Sequence, residues 1–277
     1  MAGEERVARH YGKAGIAAWL IAALREAHGP DAEITPETMA PFDHFHGRGV
    51  QATKELAALL APRTGESLID IGCGIGGPAR WMAVTFGVAV TGVDLTPEFC
   101  AAAQELTRAA GLADRVTILQ GSALALPVPD AAFDRAYSQN VMMNIADKPG
   151  FYREAFRALR PGGVLALSTL CSGANPGPLH FPVPWASEPA ASFLCSLEEM
   201  EVDLQQAGFE IVSLRDTTAD ILPAQRRHRE RLEAEGLPAQ GVHVIMGEPF
   251  LEMQINSSRN LEERRAATVE ALLRKPG

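Results

Sequence analysis

Four glycines and two aspartates carry the first chemistry. Leu68–Ile71 is a largely apolar run with Asp70 inside it, and Gly72, Gly74, Gly76 and Gly77 follow before Pro78. This reads as a strand feeding a tight turn, with proline opening the next helix. Glycine leaves no Cβ between the backbone and an approaching ligand. Asp94 ends the next strand-like run, Val90-Thr91-Gly92-Val93, where a carboxylate can accept both hydroxyls of a ribose. Gly72, Gly74 and Gly77 satisfy the G-x-G-x-x-G spacing, so a nicotinamide dinucleotide is formally allowed. Asp70 favours another nucleoside cofactor, one with an ammonium group, because a carboxylate there would repel a pyrophosphate.

The elements around this turn must bring it to one sheet edge. Ser67–Ile71, Val88–Val93, Val116–Leu119, Phe133–Tyr137 and Val164–Leu170 are short apolar runs. Helical stretches lie between most of them, at Pro78–Phe86, Pro97–Ala110 and Lys148–Leu159. Alternation of this kind implies right-handed crossovers and a parallel sheet covered on both faces. Residues 1–62 are expected to form a helical cap, with Val7, Ile16, Trp19, Leu20, Ala23 and Leu24 on one stripe and Thr35-Pro36 starting a second helix. Residues 63–277 then form the main domain. It carries a Gly/Pro-rich loop at 172–189 and a charged helical insertion over about 223–260, both near the substrate side. Ala267–Leu273 is read as a last strand.

Composition narrows the function classes. The 277 residues are 47% hydrophobic and carry a net charge of −9, which disfavours nucleic acid as a partner. The apolar run Ala14–Leu24 is too short for a membrane helix, and no secretory signal is expected. Cys73, Cys100, Cys171 and Cys195 show no C-x-x-C spacing, so they read as reduced cytoplasmic thiols with no metal site expected.

Taken together, the segments Asp70–Gly77, Val93-Asp94-Leu95-Thr96, Gly121-Ser122-Ala123, Phe133-Asp134 and Leu159-Arg160-Pro161-Gly162-Gly163-Val164 resemble the class I S-adenosylmethionine-dependent methyltransferases. The similarity is to the branch holding ubiquinone/menaquinone-biosynthesis and sarcosine/dimethylglycine methyltransferases, and His44–Gly49 also looks like its segment before the first strand. The resemblance implies a three-layer α/β/α sandwich with a Rossmann-like, seven-stranded, mostly parallel sheet and one antiparallel strand near its edge. It implies S-adenosylmethionine as cofactor and S-adenosylhomocysteine as product. Asp70 with Gly72, Cys73, Gly74 and Gly76 would hold the methionine end and ribose edge. Asp94 would take the ribose hydroxyls and Leu95 would flank the adenine. Ser122 and Ala123 would meet the adenine edge, with Ser122 standing where the family usually has an acid. Gln139 would offer its carbonyl to the methionine ammonium.

Methyl transfer from a sulfonium needs alignment and, for some acceptors, removal of a proton. His46 and His180 are the candidate bases. Arg48 is placed on the methionine carboxylate or as a brace for the turn, and Tyr11 as a cap on the site. His44, Asn140, Asn144, Phe181 and Trp185 are further candidates for contact, and Met142 and Met143 for packing. The expected acceptor is a small molecule taking the methyl group on nitrogen, oxygen or carbon, with the enzyme a monomer or homodimer. A nicotinamide-dependent oxidoreductase and a catalytically silent binding subunit are the alternatives.

Overall fold

The computed structural model describes residues 15–44, 48–237 and 249–277. Three helices precede the sheet: α1 (Ile16–His28), α2 (Pro36–Asp43) and α3 (Val50–Leu60). The Thr35 side chain caps α2 through a reciprocal pair with Thr38, and Pro36 occupies a first-turn position whose N–H would have no helical partner. The sheet strands and their crossovers follow: β1 (Ser67–Ile71), α4 (Gly77–Phe86), β2 (Ala89–Asp94), α5 (Pro97–Ala109), β3 (Val116–Gln120), β4 (Phe133–Gln139), α6 (Lys148–Ala158) and β5 (Leu159–Ser172). The chain then runs through α7 (Leu197–Gln206), β6 (Glu210–Asp216), α8 (Thr218–Glu235), α9 (Phe250–Glu262) and β7 (Ala266–Arg274).

The seven strands lie in the order β3-β2-β1-β4-β5-β7-β6. β1 to β5 pair in parallel, whereas β7 runs antiparallel to both β5 and β6. The order reverses between β1 and β4, which opens the crevice where ligands of such sheets bind. Two layers of helices cover the sheet. Leu56, Leu60, Met82 and Ala83 pack on one face with Leu68 and Val90. Phe151, Tyr152, Met200 and Leu204 pack on the other with Ile69, Leu165 and Leu273. Strands buried on both sides have no polar alternation, which is why β1 reads as one apolar run around Asp70.

Two boundaries differ from the sequence reading. β5 begins at Leu159, five residues before the expected Val164, because Leu159 pairs with Phe133 across an irregularity in β4. α8 begins at Thr218 and runs through Pro223, rather than starting there. Its first turn is held by tertiary bonds: the Thr217 amide donates to Thr268 O (2.8 Å) and the Thr268 amide to Thr218 Oγ1 (2.9 Å). Those bonds, together with burial of Thr218 and Ile221, outweigh the proline. Among the described residues no helix is long and apolar enough to cross a membrane.

Candidate active site

The carboxyl ends of the parallel strands open into one cavity of about 270 Å³. One half is made by the ends of β1, β2 and β3. The Gly72 and Cys73 amides both donate to Val93 O (2.8 and 3.1 Å), which ties the turn to the end of β2. Gly72 has φ +85°, and a Cβ there would lie 2.2 Å from Val141 Cγ2, so no other residue fits. Asp94 accepts from the Gly74 amide at Oδ2 (2.8 Å) and from the Thr96 amide at Oδ1 (2.9 Å). Burial raises its carboxyl above the ordinary range although these amides pull the other way. The Thr96 hydroxyl and the Leu95 amide also favour the ionised form, and the residue lines the cavity.

Asp70 is the stronger case. It is buried, its Oδ2 has no hydrogen-bond partner among the described residues, and burial pushes its carboxyl up to about 8. The Tyr137 hydroxyl beside it works against that shift, and the Asp94 charge adds to it. A buried carboxylate oxygen with no partner among the described residues is costly, and a positively charged group beside it would relieve that cost. Gln139 is similar in part: its Oε1 accepts from Thr53 (3.2 Å), while its buried Nε2 has no partner among the described residues.

Beneath the turn sits a fully buried arginine. Arg80 Nη1 donates to Ile75 O (2.9 Å), Ala103 O (3.4 Å) and Thr107 Oγ1 (3.2 Å), and its Nη2 donates to Asp43 Oδ2 (2.9 Å). Asp43 also meets His44 Nδ1 (2.9 Å). Burial alone would raise the Asp43 carboxyl, but the His44 bond and the Arg80 charge hold it below the ordinary carboxylate range. A Cβ on Gly77 would lie 2.2 Å from Asp43 O, so the end of α2 sits directly on the start of α4.

The other half of the cavity is built from side chains. Met143, Leu170, Trp185, Ile221, Phe250 and Leu261 give it apolar walls, and Gln225, Gln254, Ser257, Thr268 and Glu270 add polar groups. The 172–189 loop is fastened here rather than free to swing. Asn260 is fully buried, accepting from the His180 amide (2.8 Å) and donating to His180 O (3.0 Å). Asn256 donates to Pro182 O (3.1 Å), Arg265 to Pro178 O, and Asn144 to Trp185 O (2.8 Å).

The structure brings together Asp70, Gly72, Cys73, Gly74, Asp94, Leu95, Ser122, Ala123, Gln139 and Arg48 as lining residues. Gly76 stands behind the turn, its amide donating to Cys73 O (2.9 Å). Cys73 is buried and its thiol is pushed well above the ordinary range, so it supplies no nucleophile. The Ser122 hydroxyl accepts from the Leu124 amide (3.0 Å) within its own turn. Arg48 spans Glu55 with two bonds (3.0 and 2.5 Å). His180 lies outside the cavity lining, its Nε2 on Glu263 Oε2 (2.9 Å). His46 and Tyr11 fall outside the described residues. The sequence reading missed the polar residues of α8, α9 and β7. Only Glu270 left a signal, as a lone acid in the apolar run Val269–Leu273.

Comparison with known proteins agrees with this geometry. Residues 69–167 match a family model described as a methyltransferase domain. The chain is 34% identical over 200 residues to 27-O-demethylrifamycin SV methyltransferase of Amycolatopsis mediterranei (strain S699), covering 72% of this chain and 73% of that one. It is 30% identical over 197 residues to phosphoethanolamine N-methyltransferase 1 of Arabidopsis thaliana, covering 68% of this chain but 37% of that one. Among solved structures, the (4+2)-cyclase SpnF matches with a TM-score of 0.66 at 25% identity, covering 94% of this chain and 93% of that one.

Proposed function

This chain belongs to the class I S-adenosylmethionine-dependent methyltransferases, and we propose that it methylates a small, partly apolar acceptor held between the 172–189 loop and helices α8 and α9. The observation that carries the proposal is the single cavity joining Asp70 and Asp94 to the walls formed by Trp185, Ile221 and Phe250. Small-molecule sites have this mixed character, apolar walls with a few polar groups that fix orientation.

The residues fit the cofactor. The orphaned Asp70 Oδ2 suits its ammonium group, and the Asp94 carboxylate in the cavity lining suits the ribose hydroxyls. Leu95 flanks the adenine, and the Ala123 amide takes the adenine edge. The Gly72–Gly76 turn holds the methionine end with backbone groups. When bound, S-adenosylmethionine supplies an activated methyl group with its leaving group attached. The chain's own part is to bind, orient and keep water out. Related chains are named for acceptors as unlike as 27-O-demethylrifamycin SV and phosphoethanolamine, so the outline of the acceptor is read from the cavity and not from those names.

Thermal unfolding with S-adenosylhomocysteine and with NAD separates this reading from an oxidoreductase. Stabilisation by the first compound and none by the second is expected, and the reverse would sink it. The similarity to a cyclase favours a second reading, in which the cofactor is bound while the acceptor is rearranged. Mass spectrometry distinguishes the two, since methyl transfer adds one methylene to the acceptor's mass and rearrangement adds nothing.

A further inference from the structure

A second carboxylate in the cavity shares the situation of Asp70. Glu270 stands midway along β7, in register with Ser168 of β5 and Arg215 of β6. Ser168 is in turn in register with Gln139 of β4. Directly opposed residues of neighbouring strands point to one face. Gln139, Ser168 and Glu270 therefore form a row leading from the cofactor half of the cavity into the acceptor half. The Thr53–Gln139 bond identifies the face as the one beneath α3.

Among the described residues, the charges that act on Glu270 cancel without it: Glu55 from α3, Arg48 just before α3, Arg215 from β6 and Asp220 from α8. Arg48 is spanned by Glu55, and Arg215 donates to Asp220 Oδ2 (3.0 Å). The Glu270 side chain is half-buried and has no hydrogen bond or ion pair among the described residues. Burial holds its carboxyl above the ordinary range, as it does for Asp70. An unbalanced carboxylate facing apolar walls selects a positively charged partner.

We propose that Glu270 anchors a protonated amine on the acceptor, which makes the acceptor an apolar primary or secondary amine. This rests on the methyltransferase reading of the cavity. Glu270 also has the chemistry to ready the nucleophile. One N–H bond of the ammonium breaks, its proton goes to the Glu270 carboxylate, and the electron pair stays on nitrogen. That pair forms the new N–C bond, while the pair of the broken C–S bond stays on sulfur. Glu270 then returns its proton to water. A phosphorylated acceptor, by contrast, would face an uncompensated carboxylate.

The test uses the full chain saturated with S-adenosylhomocysteine and two probes of the same shape, 2-phenylethylamine and the neutral 2-phenylethanol. Calorimetry should show the amine binding roughly tenfold tighter or more, the strength of one hydrogen bond to a charged group. Glu270→Gln should erase that preference, and Glu270→Asp should keep part of it. Neither substitution should change S-adenosylhomocysteine affinity or lower the unfolding midpoint, which keeps a folding defect distinct from a lost anchor. Equal binding of the two probes, binding of neither at millimolar concentration, or a preference surviving in Glu270→Gln would overturn the proposal. Failure of the unsubstituted chain to bind S-adenosylhomocysteine would instead defeat the methyltransferase reading beneath it.

Discussion

The two halves of the cavity are built by different means. The cofactor half comes from three short segments, 70–77, 94–96 and 121–123, at the ends of adjacent parallel strands. Its shape is set largely by backbone, as in the paired amides of Gly72 and Cys73 on Val93 O. The acceptor half gathers side chains from the end of β4, β5, the 172–189 loop, α8, α9 and β7. It is held by side chains gripping backbone, chiefly Asn144, Asn256 and Asn260. A site made of backbone needs conformations that few residues adopt, so its sequence is constrained locally. A site made of side chains can change its ligand by substitution, without altering the strands beneath it.

If the cofactor half is a rigid backbone unit, its brace should be the costliest residue to remove. Arg80→Met leaves the Asp43 carboxylate buried without its guanidinium. Breaking a buried pair from one side typically costs about 3–5 kcal/mol. Chemical denaturation should show that loss, and a loss below about 1 kcal/mol, the level of an exposed pair, would mean the turn holds its shape unaided.

Within the same half, a charged side chain should matter more than a neutral one. Asp94→Ala removes the acceptor proposed for the ribose and also frees the Gly74 and Thr96 amides. We expect S-adenosylhomocysteine affinity to fall by about 3 kcal/mol, roughly two orders of magnitude. Ser122→Ala removes the neutral bond from the Leu124 amide and should cost about 1 kcal/mol or less. Calorimetric titration of both variants decides it, and equal losses would show that Asp94 does not meet the ribose.

The acceptor half offers the opposite test. Asn260→Ala leaves the His180 amide and carbonyl without their partner. Two buried backbone groups set free should cost about 2–3 kcal/mol of stability. S-adenosylhomocysteine affinity at saturating folded protein should stay unchanged, because no bond of Asn260 reaches the turn. A parallel fall in cofactor affinity would show that the halves are coupled and not separately built.

The same contrast explains what could be read from the amino-acid sequence. Strands β1 to β5 and β7 are legible as apolar runs, with Ala267–Leu273 the antiparallel strand expected near the edge. The glycine turn and Asp70 were legible because φ near +85° and close approach exclude other residues at Gly72. Pairings between distant residues were not. Arg80 finds Asp43 across 37 positions, and nothing near either residue signals it. His180 finds Glu263 across 83 positions, which takes its ring to a partner outside the cavity lining. Glu270 was visible as an acid in a strand, but its row with Ser168 and Gln139 depends on sheet order and register. α8 began ahead of Pro223 because of bonds from Thr217 and Thr218 to a strand about fifty residues later.

The effect most specific to the cofactor half is the pH dependence set by Asp70. Its carboxyl ionises at about 8 in the folded chain, against 3.8 as an ordinary aspartate. Between those values the folded state keeps a proton that the unfolded state has released. Stability from this group is therefore full below the ordinary value and is lost as pH rises toward about 8. Cofactor binding runs the other way, since an ammonium group pairs with the carboxylate and not with the acid. Below about pH 8, S-adenosylhomocysteine should therefore bind with release of up to one proton. Its association constant should rise by at most about tenfold per pH unit and level off near that value. Calorimetry in two buffers of different ionisation heat reads the proton directly. Asp70→Asn should abolish the release, weaken binding, and raise the unfolding midpoint of the ligand-free chain at neutral pH, since an amide carries no charge to bury. A binding constant independent of pH from about 6 to 8 would mean that the ammonium is held elsewhere, by backbone carbonyls of the turn and not by the one carboxylate placed for it.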